Sequence, residues 1–394
     1  MVFPERFSDL PEYTFARLRR LLDAHEAGGP VVHMSIGEPK HPFPGWVPGL
    51  VSEHAEDFSR YPPNDGTPRL LEAIAGWLER RFSARLDPQT QIMALNGSRE
   101  GLFSACLALC PERTPDGRQS AVLLPNPFYQ VYAVAARAAG AEPVFVPATE
   151  ATNFLPDYRA LDPETLDRVA VAYLCSPSNP QGAVAGRDWL KDLLELAETH
   201  DFRIFSDECY SEIYRDAPPP GILEIAAELG TDPERALAFN SLSKRSNLPG
   251  LRSGFVAGGP ECIRRIRQLR SYAGAPLPGP LQRAAERLWA DEAHVDENRA
   301  LYAAKYALAD AAFAGVPGYR SPQAGFFLWL KVGDGEKAAL KLWRETGIRA
   351  LPGSYLGREV NGENPAREYL RVALTAPAEE IGEALPRLRD CLYG

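Results

Sequence analysis

A short apolar run, Ala236–Phe239, stops abruptly at Asn240-Ser241-Leu242-Ser243-Lys244-Arg245-Ser246-Asn247-Leu248-Pro249-Gly250. The run has the length and composition of a buried strand, and the serines, proline and glycine after it are loop formers. A chain with this stretch has to fold so that Lys244 sits at the mouth of a buried strand. Burial there disfavours the ammonium and lowers its pKa, and Arg245 and Arg252 push the same way. The neutral amine is a nucleophile towards carbonyls, so a Schiff base becomes possible. On its own the stretch admits a blander reading, a loop lysine beside two arginines that touches a phosphate or nothing.

Further stretches place polar side chains where apolar runs end. Val31–Pro39 reads as a strand closing in the turn formers Gly37 and Pro39. Arg60–Leu71 carries Tyr61 in a loop and opens a helix with Pro68 near its start and Leu71, Ile74, Trp77 and Leu78 on one face. Ile92–Phe103 joins an apolar run to a helix: Gly97 lets the backbone turn, and Ser98 and Arg99 occupy a helix N-terminus, where free amides and the dipole favour an anion. The dinucleotide pattern G-x-G-x-x-G is absent. Ala121–Leu124 runs into Phe128, Tyr129 and Tyr132, and an aromatic at the carboxyl end of a sheet strand offers a flat ring a stacking face. Phe128 and Tyr132 equally suit a core beneath the next helix. Val169–Cys175 gives way to Ser176-Pro-Ser-Asn179-Pro-Gln-Gly182, and Phe202–Phe205 to Ser206-Asp207-Glu208-Cys209-Tyr210. Asp207 alone suits a helix cap. Arg371 lies inside the apolar strand pattern Glu368–Leu374, where an arginine is costly unless paired and where its fork suits a carboxylate; an edge-strand salt bridge is the alternative. His33 and His41 have no evident partners and read as structural or exposed.

Taken in order, these motifs resemble the class I and II pyridoxal-phosphate aminotransferases. That family carries Ser-x-Ser-Lys with an arginine eight positions after the lysine, and here Ser241-Leu-Ser243-Lys244 precedes Arg252-Ser-Gly254. Its Asn-Pro-x-Gly and Asp-Glu-x-Tyr elements match Asn179–Gly182 and Asp207–Tyr210, and the likeness runs from about Ser35 to Leu374. The resemblance implies an α/β chain of PLP fold type I. Its large domain, 46–285, would hold a mostly parallel seven-stranded-type sheet between helices, with a smaller α+β domain from 1–45 and 286–394. The change of domain is expected within a helix near Gln282–Leu288.

The resemblance also implies pyridoxal 5'-phosphate as cofactor, with Lys244 as its Schiff-base lysine. Asp207 would meet the pyridine nitrogen and keep it protonated, so that the ring acts as an electron sink. Asn179 and Tyr210 would meet the phenolic oxygen, Tyr129 would stack on the ring, and Gly97, Ser98, Arg99, Ser241, Ser243 and Arg252 would surround the phosphate. Gly37, Asn179 and Arg371 are the implied substrate contacts, Arg371 clamping the α-carboxylate. Tyr61 would reach the phosphate in a second copy of the chain, which makes the expected assembly a homodimer with shared sites. No metal is called for.

Composition bounds the partners. The 394 residues are 45% hydrophobic and 24% charged, as in a soluble globular chain long enough for two domains. A net charge of -9 argues against nucleic acid or an anionic membrane as partner. An acidic substrate therefore needs local arginines. The six cysteines lack C-x-x-C spacing and read as reduced residues of a cytoplasmic protein, with Cys106 and Cys110 as small buried helix residues. No run approaches the ~18 apolar residues of a membrane span, and the start has no apolar signal region.

Three stretches, Ile36–Pro44, Ser243–Arg252 and Leu351–Arg358, are similar to the succinyldiaminopimelate aminotransferases of lysine and cell-wall precursor synthesis. The implied reaction exchanges an amino group between glutamate and N-succinyl-2-amino-6-oxopimelate, with Arg245, Lys40 and Arg358 as candidate partners for the extra carboxylates. Aspartate, alanine or aromatic aminotransferases and a carbon-sulfur β-lyase share the named residues. An aminotransferase-like transcriptional regulator would need a DNA-binding extension, and the chain begins its own fold by about Tyr13 with no basic arm.

Overall fold

The computed structural model of the chain describes Phe7, Ser8, Leu10 and residues 12–394. Its strands, in chain order, are β1 Val32–His33, β2 Ile92–Leu95, β3 Ala121–Asn126, β4 Glu142–Pro147, β5 Val169–Cys175, β6 Arg203–Asp207, β7 Ala236–Ser241, β8 Gly254–Ala257, β9 Phe327–Lys331, β10 Ile348–Arg349, β11 Leu351–Pro352 and β12 Tyr369–Ala373. Strands β2 to β8 form one seven-stranded sheet in the order β2-β8-β7-β6-β5-β3-β4. Only β8 runs antiparallel to its neighbours, β2 and β7, so the sheet is mostly parallel. Every residue of β3, β5 and β7 is buried, which is why these segments are continuous apolar runs.

Helices cover both faces. On one, Pro68–Phe82 starts at Thr67, whose hydroxyl accepts the Leu70 amide at 3.3 Å, with Pro68 at the first helical position. Its Leu71, Ile74, Trp77 and Leu78 are buried, and Trp77 meets Trp289 at 4.9 Å between ring centroids and Phe255 at 5.9 Å. On the other, Ser98–Leu109 and Val131–Ala138 enclose Leu102, Cys106, Tyr132 and Ala135 with Phe205 and Phe239 of the sheet.

A second core gathers Met34, Tyr302, Tyr306, Phe326, Leu328, Leu370 and Val372 around the antiparallel sheet β11-β12-β9. The segment expected to cross between domains, Gln282–Leu288, lies in the helix Gly279–Ala290, and its Ala284, Ala285 and Leu288 pack with Trp289 in the large-sheet core. The next helix, Ala293–Ala312, carries Tyr302 and Tyr306 into the second core. Although Ser321–Leu330 ends in an apolar run, its strand begins only at Phe327, because the Gln323 and Ala324 amides donate to the Gly182 carbonyl instead.

Candidate active site

The carboxyl ends of β3, β5, β6 and β7 converge, and the polar side chains follow from where each strand stops. After β7 the chain makes a single helical turn, Leu242–Arg245. Ser241 caps it by accepting the Ser243 amide at 3.1 Å and donates to the Ser253 carbonyl at 3.0 Å. Lys244 is thereby aimed at the segment before the second core. Its Nζ donates to the Gly37 carbonyl and lies 5.3 Å from the Phe326 ring centroid. Burial lowers its pKa from 10.5 to about 8, and the charges of Arg371 and Arg252 act in the same direction.

Asp207, the last residue of β6, is buried and forms no ion pair among the described residues. Tyr132 Oη donates to its Oδ2 at 2.7 Å and the Cys209 amide to its Oδ1 at 3.4 Å. Burial raises its pKa; these bonds and the Lys244 charge oppose the rise. Tyr132 is a functional residue that the sequence does not single out. It stacks on Tyr173 with centroids 4.4 Å apart and an interplanar angle of 13°, as a core aromatic does, yet its hydroxyl holds Asp207. Asn240 is another: its Nδ2 donates to the Glu208 carbonyl at 3.0 Å, tying the lysine strand to the aspartate strand.

Arg371 of β12 is buried; it donates to Asn179 Oδ1 at 2.8 Å and to the Ser35 carbonyl at 2.7 Å. It lies 4.3 Å over the Phe327 ring, and its Nε has no hydrogen-bond partner among the described residues. Burial brings its pKa down to about 10. Ser35 and Gly37 thus connect Arg371 to Lys244 through two carbonyls on one extended segment. A Cβ on Gly37 would fall 2.6 Å from the Phe327 ring, so only glycine lets that segment lie so close. Tyr210 is buried with its ring edge-on to Phe326 and Phe327.

Beside these groups the helix Ser98–Leu109 begins at Gly97, which gives it no side-chain cap and has a φ of 81°. Arg252, itself left-handed at φ 57°, spans the helix start by donating to the Asn96 carbonyl at 3.1 Å and the Pro249 carbonyl at 2.8 Å. A Cβ at Gly97 would lie 2.2 Å from an Arg252 guanidinium nitrogen. Cys209 Sγ donates to Ser98 Oγ at 3.0 Å, and Ser243 Oγ lies 2.9 Å from Ser241 Oγ. The Arg99 side chain turns to the Tyr129 hydroxyl. Tyr61 is fully exposed in the single chain.

Three sequence candidates for extra carboxylates part company. Arg245 faces away from Lys244: it is buried 5.7 Å from the Trp77 ring centroid and 5.1 Å from that of Trp289, and it bonds the Leu288 carbonyl at 2.7 Å and Glu292 at 3.0 Å. It is a structural arginine and not a substrate contact, because its two terminal nitrogens are taken by the Leu288 and Asp291 carbonyls and Glu292 beside the indoles. Arg358 lines a separate cavity with Arg17 and Gln130. Lys40 is exposed on the rim of a cavity of about 740 Å³ between Pro39–Phe58 and Asn247–Leu251.

The residues fit pyridoxal phosphate chemically. A desolvated amine, a buried carboxylate with no cation partner and an uncapped helix start with an arginine across it match the aldehyde, ring nitrogen and phosphate of that cofactor. Residues 30–388 match the family model for aminotransferases of class I and II, and the chain belongs to that family of pyridoxal-phosphate-dependent enzymes. It is 31% identical over 401 residues to the LL-diaminopimelate aminotransferase of Dehalococcoides mccartyi, covering 99% of each chain. A solved aminotransferase from Neisseria meningitidis is 38% identical with a TM-score of 0.94, covering 99% of this chain and 100% of that one. A solved probable N-succinyldiaminopimelate aminotransferase from Thermus thermophilus is 27% identical with a TM-score of 0.85, covering 96% of this chain and 100% of that one.

Proposed function

We propose that this aminotransferase exchanges amino groups between glutamate and an oxo acid of the diaminopimelate series, with N-succinyl-2-amino-6-oxopimelate as the acceptor. The observation that carries the reading at the reacting end is the buried Arg371 fork, held by Asn179 and Ser35 at the height of Lys244. Bound here, pyridoxal 5'-phosphate supplies an electron sink for the pair released at the substrate Cα. Lys244, desolvated to a pKa of about 8, is neutral in a useful fraction near pH 7 and moves the Cα proton as general base and then acid. Asp207, positioned by Tyr132, holds a proton at the ring nitrogen's place. Arg371 and Asn179 orient the α-carboxylate, Gly97, Ser98, Ser243 and Arg252 hold the phosphate, and Phe326, Phe327 and Tyr210 exclude water.

Support for the substrate comes from the diaminopimelate enzymes among the relatives and from the stretches Ile36–Pro44, Ser243–Arg252 and Leu351–Arg358. The relatives' names favour a second reading, LL-diaminopimelate itself. The deciding experiment compares kcat/KM for N-succinyl-LL-diaminopimelate, LL-diaminopimelate, aspartate and phenylalanine as amino donors to 2-oxoglutarate. A preference for the succinylated donor of at least about tenfold, roughly 1.4 kcal/mol, is expected. The reverse order assigns the second reading, and aspartate or phenylalanine outrunning both overturns the two together.

A further inference from the structure

One residue past Tyr129, Gln130 lines a cavity of about 340 Å³ together with Glu12, Thr14, Arg17, Arg20, Tyr355 and Arg358. Two of its arginines have acid partners: Arg17 meets Glu336 at 3.1 Å and Arg20 meets Glu12 at 2.6 Å. Arg358 has none among the described residues. Its guanidinium donates to the adjacent Gly357 carbonyl at 2.9 Å and lies 5.3 Å over the Phe128 ring. Burial and the charges of Arg137 and Arg17 hold its pKa below the ordinary value, and no carboxylate of the described residues pulls it back. A half-buried cation crowded by another cation is costly to fold unless an anion joins it.

The site is built rather than incidental. Asn126 at the end of β3 accepts the Arg358 amide at 2.9 Å and donates to its carbonyl at 2.8 Å, which fixes the arginine's backbone. Gln130 Nε2 donates to Thr14 Oγ1 at 2.6 Å and to the Tyr355 carbonyl at 3.0 Å, so the cavity lies on a clasp joining the first helix and the Gly353–Tyr355 turn to the large sheet. Guanidinium forks facing such a space suit paired oxygens, as of a phosphate or a carboxylate. We propose that this cavity binds a compact dianion, a phosphate or a short dicarboxylate, at a site distinct from the catalytic one, and that the bound anion tightens the clasp of the first helix.

The test is calorimetric titration of the cofactor-loaded enzyme with inorganic phosphate and, separately, with succinate, in wild type, Arg358→Gln, Arg17→Gln and Arg371→Lys. One anion per chain is expected, with affinity lowered at least about tenfold in Arg358→Gln, lowered in Arg17→Gln and unchanged in Arg371→Lys. The tighter of the two probes identifies the oxyanion class. The melting temperature should rise with the anion in wild type and not in Arg358→Gln; should that variant fail to fold, Arg17→Gln decides. Equal affinity in wild type and the cavity variants, loss of binding in Arg371→Lys alone, or no binding of either probe overturns the proposal.

Discussion

Among the described residues, the half-buried Lys244 and the buried Arg371 form no ion pair with a carboxylate, and the buried Asp207 forms none with a cation. Desolvation moves all three towards neutrality, and a ligand carrying the complementary groups restores the balance. Because the Lys244 pKa is lowered to about 8, its neutral fraction rises with pH through a midpoint near 8 and levels only above it. Reaction of the cofactor-free protein with pyridoxal phosphate, followed by stopped-flow absorbance, should accelerate with that midpoint; a midpoint near 10.5 contradicts the burial argument. Replacing Arg371 by lysine keeps the charge but loses the fork. With a charge-assisted hydrogen bond worth about 1.5–3 kcal/mol, kcat/KM should fall about 10-fold to 100-fold for every substrate alike. Lys244, Asp207, Asn179, Tyr210 and Arg371 could be named as candidates because the stretches that carry them resemble the family's motifs, and the structure brings Lys244 to Gly37 and Arg371 to Asn179. Tyr132 was not, since nothing in its local sequence distinguishes a hydroxyl facing a buried carboxylate from one facing a core carbonyl, as in Tyr158 and Tyr173.

At the scale of elements, the helix starting at Ser98 and the turn carrying Lys244 fit together only because Gly97 leaves room for Arg252. Gly97→Ala adds a Cβ in the path of the guanidinium at a φ that favours glycine, at a cost of roughly 1–3 kcal/mol. Cofactor affinity, measured by fluorescence titration, should fall at least about tenfold, and an unchanged affinity contradicts the cradle. Arg245→Ala should act through stability: removing a buried cation that bonds the Leu288 carbonyl and Glu292 and packs beside Trp77 and Trp289 is expected to cost about 3–5 kcal/mol in denaturant unfolding, without changing the order of oxo-acid preference. Five strands of the large sheet, β2, β3, β5, β6 and β7, were readable as apolar runs; β4, half-exposed and carrying two prolines, and the four-residue β8 were not. Of the smaller strands, β1 and β12 lie within Val31–Pro39 and Glu368–Leu374, both read as strands, whereas the two-residue β10 and β11 were not singled out, because pairing as short as that of β10 with β1 is set by tertiary placement rather than by periodicity.

For the whole molecule, the mostly parallel sheet brings four strand ends to one edge and the second core supplies Arg371, so the site exists only when both cores are folded and docked. Tyr61, wholly exposed in one chain, motivates the proposal that two copies share their sites. Mixing Tyr61→Ala chains with Lys244→Ala chains tests it: if sites are shared, hybrid dimers regain activity that neither variant has alone, whereas a mixture no better than the sum of its parts contradicts sharing. The most direct test of the central claim is the absorbance spectrum of the protein with pyridoxal phosphate, before and after glutamate and then after an oxo acid. The account expects a Schiff-base band in wild type, absent in Lys244→Ala, that glutamate bleaches and an oxo acid restores. A protein that forms no such band, or whose band survives loss of Lys244, contradicts it.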